Sequence, residues 1–111
     1  MAMTSTLPVV TDDTFAAEIA PGSGLVAVEI SAEWCGPCKM LGPVVESLAA
    51  EYAPRMRIVQ MDNDANPAVI ARLGVRSIPT ILVFRDGELV DRIVGAKPRA
   101  TLRERFDALT R

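Results

Sequence analysis

Eight consecutive residues, Ala32-Glu33-Trp34-Cys35-Gly36-Pro37-Cys38-Lys39, constrain this chain more than any others, because they hold its only two cysteines and its only tryptophan. They lie between a near-continuous apolar run at residues 25–31 and a stretch in which Leu41, Val44, Val45, Leu48 and Tyr52 recur at helical spacing. Cys35 therefore falls where a strand feeds a helix. Unpaired backbone N–H groups and the positive end of the helix dipole favour a thiolate there, which makes Cys35 the expected nucleophile. Pro37 falls in the first turn, where its missing N–H and preset φ cost the helix nothing. Cys38 is three residues on, on the same side of the helix and within reach of Cys35 for a disulfide.

A length of 111 residues, half of them hydrophobic, suits one domain, residues 1–111, that buries roughly 60 to 70% of its unfolded surface. Residues 1–6 are expected to be flexible. The net charge is −2 with no strongly basic block, which suggests neither nucleic acid nor an anionic membrane surface as a partner. Residues 1–6 lack a basic start followed by an apolar core, and no apolar run approaches a membrane span. A cytoplasmic, monomeric protein is the expectation. In that reducing compartment a cysteine pair is more often catalytic or metal-binding than structural.

Residues 7–10 read as a short strand, and Thr11, Asp12 and Asp13 as capping and first-turn acids for a helix containing Phe15 and Ile19. Residues 25–30 read as a strand covered on both faces and interrupted by one carboxylate, Glu29. The helix from about 35 to 52 carries Pro43, which should kink it. Residues 56–62 form the next strand, parallel to its predecessor through a right-handed crossover. Asn66-Pro67 opens a further helix that Gly74 closes. Asp86-Gly87 is a two-residue hairpin signal joining the strands Thr80–Arg85 and Glu88–Val94 antiparallel, so the sheet is mixed. A last helix places Leu102, Phe106 and Leu109 on one face. The fold class is α/β.

Trp34-Cys35-Gly36-Pro37-Cys38-Lys39 at a strand-helix junction resembles the signature of the thioredoxins, and the resemblance spans roughly residues 9–109. It implies a thioredoxin fold, a five-stranded mixed sheet flanked by four helices, two on each face. It also implies a protein-disulfide reductase with no bound cofactor, re-reduced by a thioredoxin reductase that draws on NADPH, and disulfide-containing client proteins as partners. Pro79 matches a cis proline facing the disulfide, and the backbone of Ile78 before it would pair with the client chain. Trp34, Gly36, Pro37, Ile78, Val94, Gly95 and Ala96 match an apolar contact surface. Read blandly, Ile78 and Val94 are core residues. Asn63 and Ser77 are more polar than usual at their positions, and Ser31 occupies a place often aromatic, which bears on partner preference.

The expected chemistry is attack by Cys35 on a client disulfide, followed by attack of Cys38 on the mixed disulfide. Glu29, desolvated inside an apolar strand, is the candidate to exchange a proton with Cys38. Its alternative is a carboxylate reaching solvent at the strand end. The family usually has Asp at this position and a Lys nearby on the next strand, where this chain has Gln60. Without that cation Glu29 should titrate higher than its counterpart. Lys39 is either a cation assisting the thiolate or a solvated side chain. A ring as short as 35–38 is a poor staple, worth about 2 kcal/mol. A metal shell needs about four ligands, and two sulfurs with no histidine supply one only if subunits share it, so no metal is expected. The competing reading is a binding or assembly module on the same fold with incidental cysteines.

Overall fold

The centre of the sheet is β1 (Leu25–Ser31), buried along almost its whole length because it is paired on both edges and covered on both faces. The structure is a computed structural model that describes residues 6–111, so the flexible lead expected for residues 1–6 lies, Thr6 apart, outside the described residues. Helix α1 (Phe15–Glu18) precedes β1. After it come α2 (Gly36–Tyr52), β2 (Arg57–Asp62), α3 (Pro67–Arg72), β3 (Thr80–Arg85), β4 (Glu88–Val94) and α4 (Arg99–Thr110). The strand order is β2-β1-β3-β4, with β1 parallel to β2 and antiparallel to β3.

Alternation along β1 divides the core. Leu25 and Ala27 face a cluster built with Leu41, Val45, Leu48 and Tyr52 of α2 and Leu102 and Phe106 of α4. Val26, Val28 and Ile30 face the other way, toward Phe15 and Ile19 at α1 and Val69 and Ile70 of α3. Two helices thus cover each face, as the resemblance implies.

Among the described residues the sheet has four strands rather than five. Residues 7–10 run beside β2 but form a single parallel bridge, Val9 to Gln60. Val10 N donates to Gln60 O at 2.8 Å and Gln60 N to Pro8 O at 2.9 Å. Pro8 has no N–H to extend the ladder, so a strand-like segment stops at one bridge.

Hairpin β3-β4 turns on Asp86 at φ 49° and Gly87 at φ 93°, the two left-handed residues such a turn requires. A Cβ at position 87 would also meet the carbonyl oxygen of Ile19 at 3.3 Å. The Asp86 carboxylate accepts from Gly22 N (3.1 Å) and Gly24 N (2.9 Å), fixing the loop that leads into β1.

Helix capping departs from the local expectation. Thr14, not Thr11 to Asp13, is the N-cap residue of α1, and Asn66 makes no side-chain cap on α3. The Asp12 carboxylate caps α3 instead, accepting from Ala68 N at 3.1 Å and Val69 N at 2.9 Å. Asn66 accepts from Asp12 N at 2.8 Å and donates to Asp62 O at 2.9 Å. Two segments more than fifty residues apart in sequence are joined by this exchange. Asp12→Ala should therefore destabilise the fold by about 1 to 2 kcal/mol in urea denaturation. Asp13→Ala, exposed and making no hydrogen bond among the described residues, should stay within about 0.5 kcal/mol. Equal losses for the two would remove Asp12 from its capping role.

Candidate active site

The end of β1 delivers the chain to Cys35, which keeps extended geometry (φ −89°, ψ 108°) and is the N-cap residue of α2. Its sulfur accepts the backbone N–H of Cys38 at 3.2 Å, the capping bond a Ser or Asp oxygen makes elsewhere. Gly36 and Pro37 occupy the first two helical positions, and α2 continues unbroken through Pro43. Cys35 and Cys38 are joined as a disulfide with their Cα atoms 5.3 Å apart. Both are nearly covered, at 4% and 5% exposure, so burial does not distinguish the two sulfurs. Position on the helix does, because Cys35 alone stands at the cap.

The loops around the pair bring together residues expected to contact a client. Ile78 packs against Ala32, Cys35 and Cys38, and Ile78-Pro79 is a cis peptide. Gly95 N donates to Pro79 O at 2.8 Å, which draws the end of β4 and Ala96 to the proline loop. Val94 is 47% exposed and is therefore no core residue. Lys39 is exposed in the first turn of α2. Ser31 is buried beneath the site, and the carbonyl of Ser31 accepts from Asn63 N at 2.8 Å. Asn63 and Ser77 border the same face, beside Trp34 and Ile78.

Trp34 is 68% exposed, yet its indole N–H donates to Asp64 Oδ2 at 2.6 Å. Asp64 was not among the residues the sequence points to. It lies in the turn after β2, thirty positions away, and only the parallel crossover brings it alongside. Ala53-Pro54 is a second cis peptide that no sequence signal marked.

Glu29 is 1% exposed, which removes the solvent-reaching alternative. Odd positions of β1 face α2 and α4, so Glu29 lies in a row with Gln60 and Ile81 across the sheet, under the active-site helix. Among the described residues its Oε2 has no hydrogen-bond partner, and the neighbouring position on β2 carries the neutral Gln60, whose Nε2 donates to Leu7 O at 2.7 Å. Desolvation in this setting pushes the Glu29 carboxyl up from 4.5 to about 7. Both protonation states are therefore populated near neutrality. Among the described residues no group of three or more Cys, Asp or Glu is placed to hold a metal ion, and no helix is long and apolar enough to cross a membrane.

A helix-capping cysteine bonded to a second cysteine one turn on, set against a cis proline and above a buried carboxyl, defines the site of a dithiol-disulfide oxidoreductase. The thioredoxin family model matches residues 6–108. The chain is 45% identical over 98 residues to thioredoxin 1 of Synechococcus elongatus, covering 88% of this chain and 92% of that one. It is 47% identical over 98 residues to the thioredoxin of Staphylococcus epidermidis, with the same coverage, and 44% identical over 93 residues to that of Porphyra purpurea, covering 84% and 87%. The chain belongs to the thioredoxin family, the protein-disulfide oxidoreductases.

Burial of Glu29 gives stability a defined pH dependence. The folded chain holds the Glu29 proton to higher pH than the unfolded chain does, so stability is undiminished below about pH 4.5. It falls as pH rises between about 4.5 and 7 and levels off above, a total loss of about 3 kcal/mol. Glu29→Gln should be more stable than the native chain by up to that amount at pH 8, with the difference vanishing near pH 4. Urea denaturation at a series of pH values measures it; parallel curves for the two proteins would contradict the assignment.

Proposed function

We propose that this protein reduces client protein disulfides with Cys35 as nucleophile, Cys38 as resolving thiol and Glu29 as proton acceptor and donor. The observation that carries this reading is the Cys38 N–H directed at the Cys35 sulfur at the start of α2. In the reduced protein the same N–H and the helix dipole stabilise a thiolate on Cys35. That thiolate attacks one sulfur of the client disulfide. A mixed disulfide forms, and the first client thiolate leaves and takes a proton from solvent. Cys38 then passes its proton to ionised Glu29 and attacks the Cys35 sulfur, expelling the second client thiolate. The client gains two electrons and the protein returns to the Cys35–Cys38 disulfide.

The backbone of Ile78 binds the client chain as an added strand. It is adjacent to the disulfide and enters no backbone hydrogen bond among the described residues, which supports this role. Exposed Trp34 and Val94, with Gly95 and Ala96, supply the apolar contacts. A thioredoxin reductase using NADPH restores the dithiol, so the protein itself binds no cofactor. It works as a monomer in the cytoplasm, where thiols are kept reduced.

Insulin reduction in the presence of dithiothreitol tests the roles. Cys35→Ser should abolish turnover, and reduced Cys38→Ser, freed of dithiothreitol and then mixed with insulin, should accumulate a mixed disulfide that non-reducing electrophoresis detects. Unchanged turnover in Cys35→Ser would leave only a binding module. Alkylation of the reduced protein across pH should show one thiol reacting with a midpoint below the value of about 8.5 for free cysteine.

A further inference from the structure

Beside the disulfide, where Trp34 and Ile78 flank it, the surface opens into a cleft of about 310 Å³. Trp34 and Ile78 form its rim toward Cys35, Ile70 lies among its apolar lining, and Asn63, Arg76 and Ser77 supply its polar groups. Arg76 is exposed, and no hydrogen bond or ion pair among the described residues engages it. Four of the other nine arginines are ion-paired, Arg57 with Glu18, Arg99 and Arg103 with Glu51, and Arg105 with Asp91, and two more donate to carbonyls, Arg85 to Leu109 O and Arg92 to Leu73 O. The nearby carboxylate of Asp64 does not line the cleft and already accepts from the Trp34 indole at 2.6 Å and from Asn63 Nδ2 at 3.3 Å. The overall charge of −2 makes this positive site local rather than a property of the whole surface.

We propose that this cleft receives the carboxylate of an acidic residue flanking the reactive cysteine of a client, so that Arg76 sets a preference for acidic client sequences. The inference rests on the disulfide-reductase reading and adds to it a substrate class. A guanidinium presents paired N–H donors that match a carboxylate, and the Ser77 hydroxyl offers a further donor beside it. Ile78, the next residue, is the proposed strand-pairing position. A client held there in extended form carries its side chains past the cleft within one or two residues of the cysteine under attack. The rim is open to solvent, so the interaction acts mainly on capture and is weakened by salt.

Three peptide disulfides test it, identical except for Glu, Gln or Lys on both sides of the reactive cysteine. The native protein should show kcat/KM for the Glu peptide about two- to fivefold above that for the Gln peptide, with the Lys peptide lowest. Arg76→Ala should bring the Glu-to-Gln ratio to about one, and Arg76→Glu should invert it. Raising the salt concentration should narrow the native spread. Equal rates for the three peptides, or a Glu preference that survives Arg76→Ala, would overturn the inference while leaving the reductase reading intact. Failure to reduce even the Gln peptide would bring down that reading and this inference with it.

Discussion

The bond from Cys38 N–H to Cys35 Sγ is the contact on which the site depends. Any strand-to-helix junction leaves the first N–H groups of the helix without partners, and something has to satisfy them. Here that acceptor is a sulfur, so the requirement of the fold and the requirement of the chemistry are met by one atom. A thiolate accepts hydrogen bonds more strongly than a thiol does, so the same geometry favours ionisation once the disulfide is opened. The neighbouring loops follow from this placement. Trp34 is turned outward and tied to Asp64, and Ile78 closes over the sulfurs with its cis proline held to Gly95.

Beneath the sulfurs the protein tolerates a costly group. Glu29 sits in the central strand of a doubly covered sheet, where its ionised form has little solvent and the position paired with it on β2 is the neutral Gln60. A Gln or an apolar residue of similar size would suit that place better for stability alone. The gain is a carboxyl that can hold or release a proton near pH 7, at a depth that solvent reaches poorly. In the mechanism we propose, proton exchange with Cys38 is the step that uses such a group. The burial that raises its affinity for the proton is also what destabilises the fold above neutrality.

What the sequence made legible was local. The apolar run of β1, the Cys-Gly-Pro-Cys junction and the Asp86-Gly87 turn each carry their signal within a few neighbouring residues, and each has its expected form. The features that escaped are long-range. Asn66 looked like a cap by its position, but the tertiary fold brought the Asp12 carboxylate to the same N–H groups and left Asn66 to bridge Asp12 and Asp62. Residues 7–10 have strand composition, yet pairing depends on the partner edge, and Pro8 leaves only the bridge at Val9. Asp64 reaches Trp34 through a crossover that no pattern near either residue records. The Glu29 environment was readable because a single carboxylate within an apolar strand is itself a local anomaly.

The disulfide contributes little to holding this architecture together, and that follows from its short ring. Cross-linking residues three apart removes only about 2 kcal/mol of unfolded-state entropy, less than the burial of a few of the core side chains between β1, α2 and α4 contributes. By the thermodynamic cycle linking folding and oxidation, a bridge that strongly stabilised the fold would be equally resistant to reduction. A weakly stabilising one leaves the balance to local effects on the reduced form, above all the stabilisation of a thiolate at the start of α2. The large core, split between two faces of the sheet, is therefore what permits the bond to break and re-form in each cycle while the loops carrying Ile78, Gly95 and Arg76 keep their places.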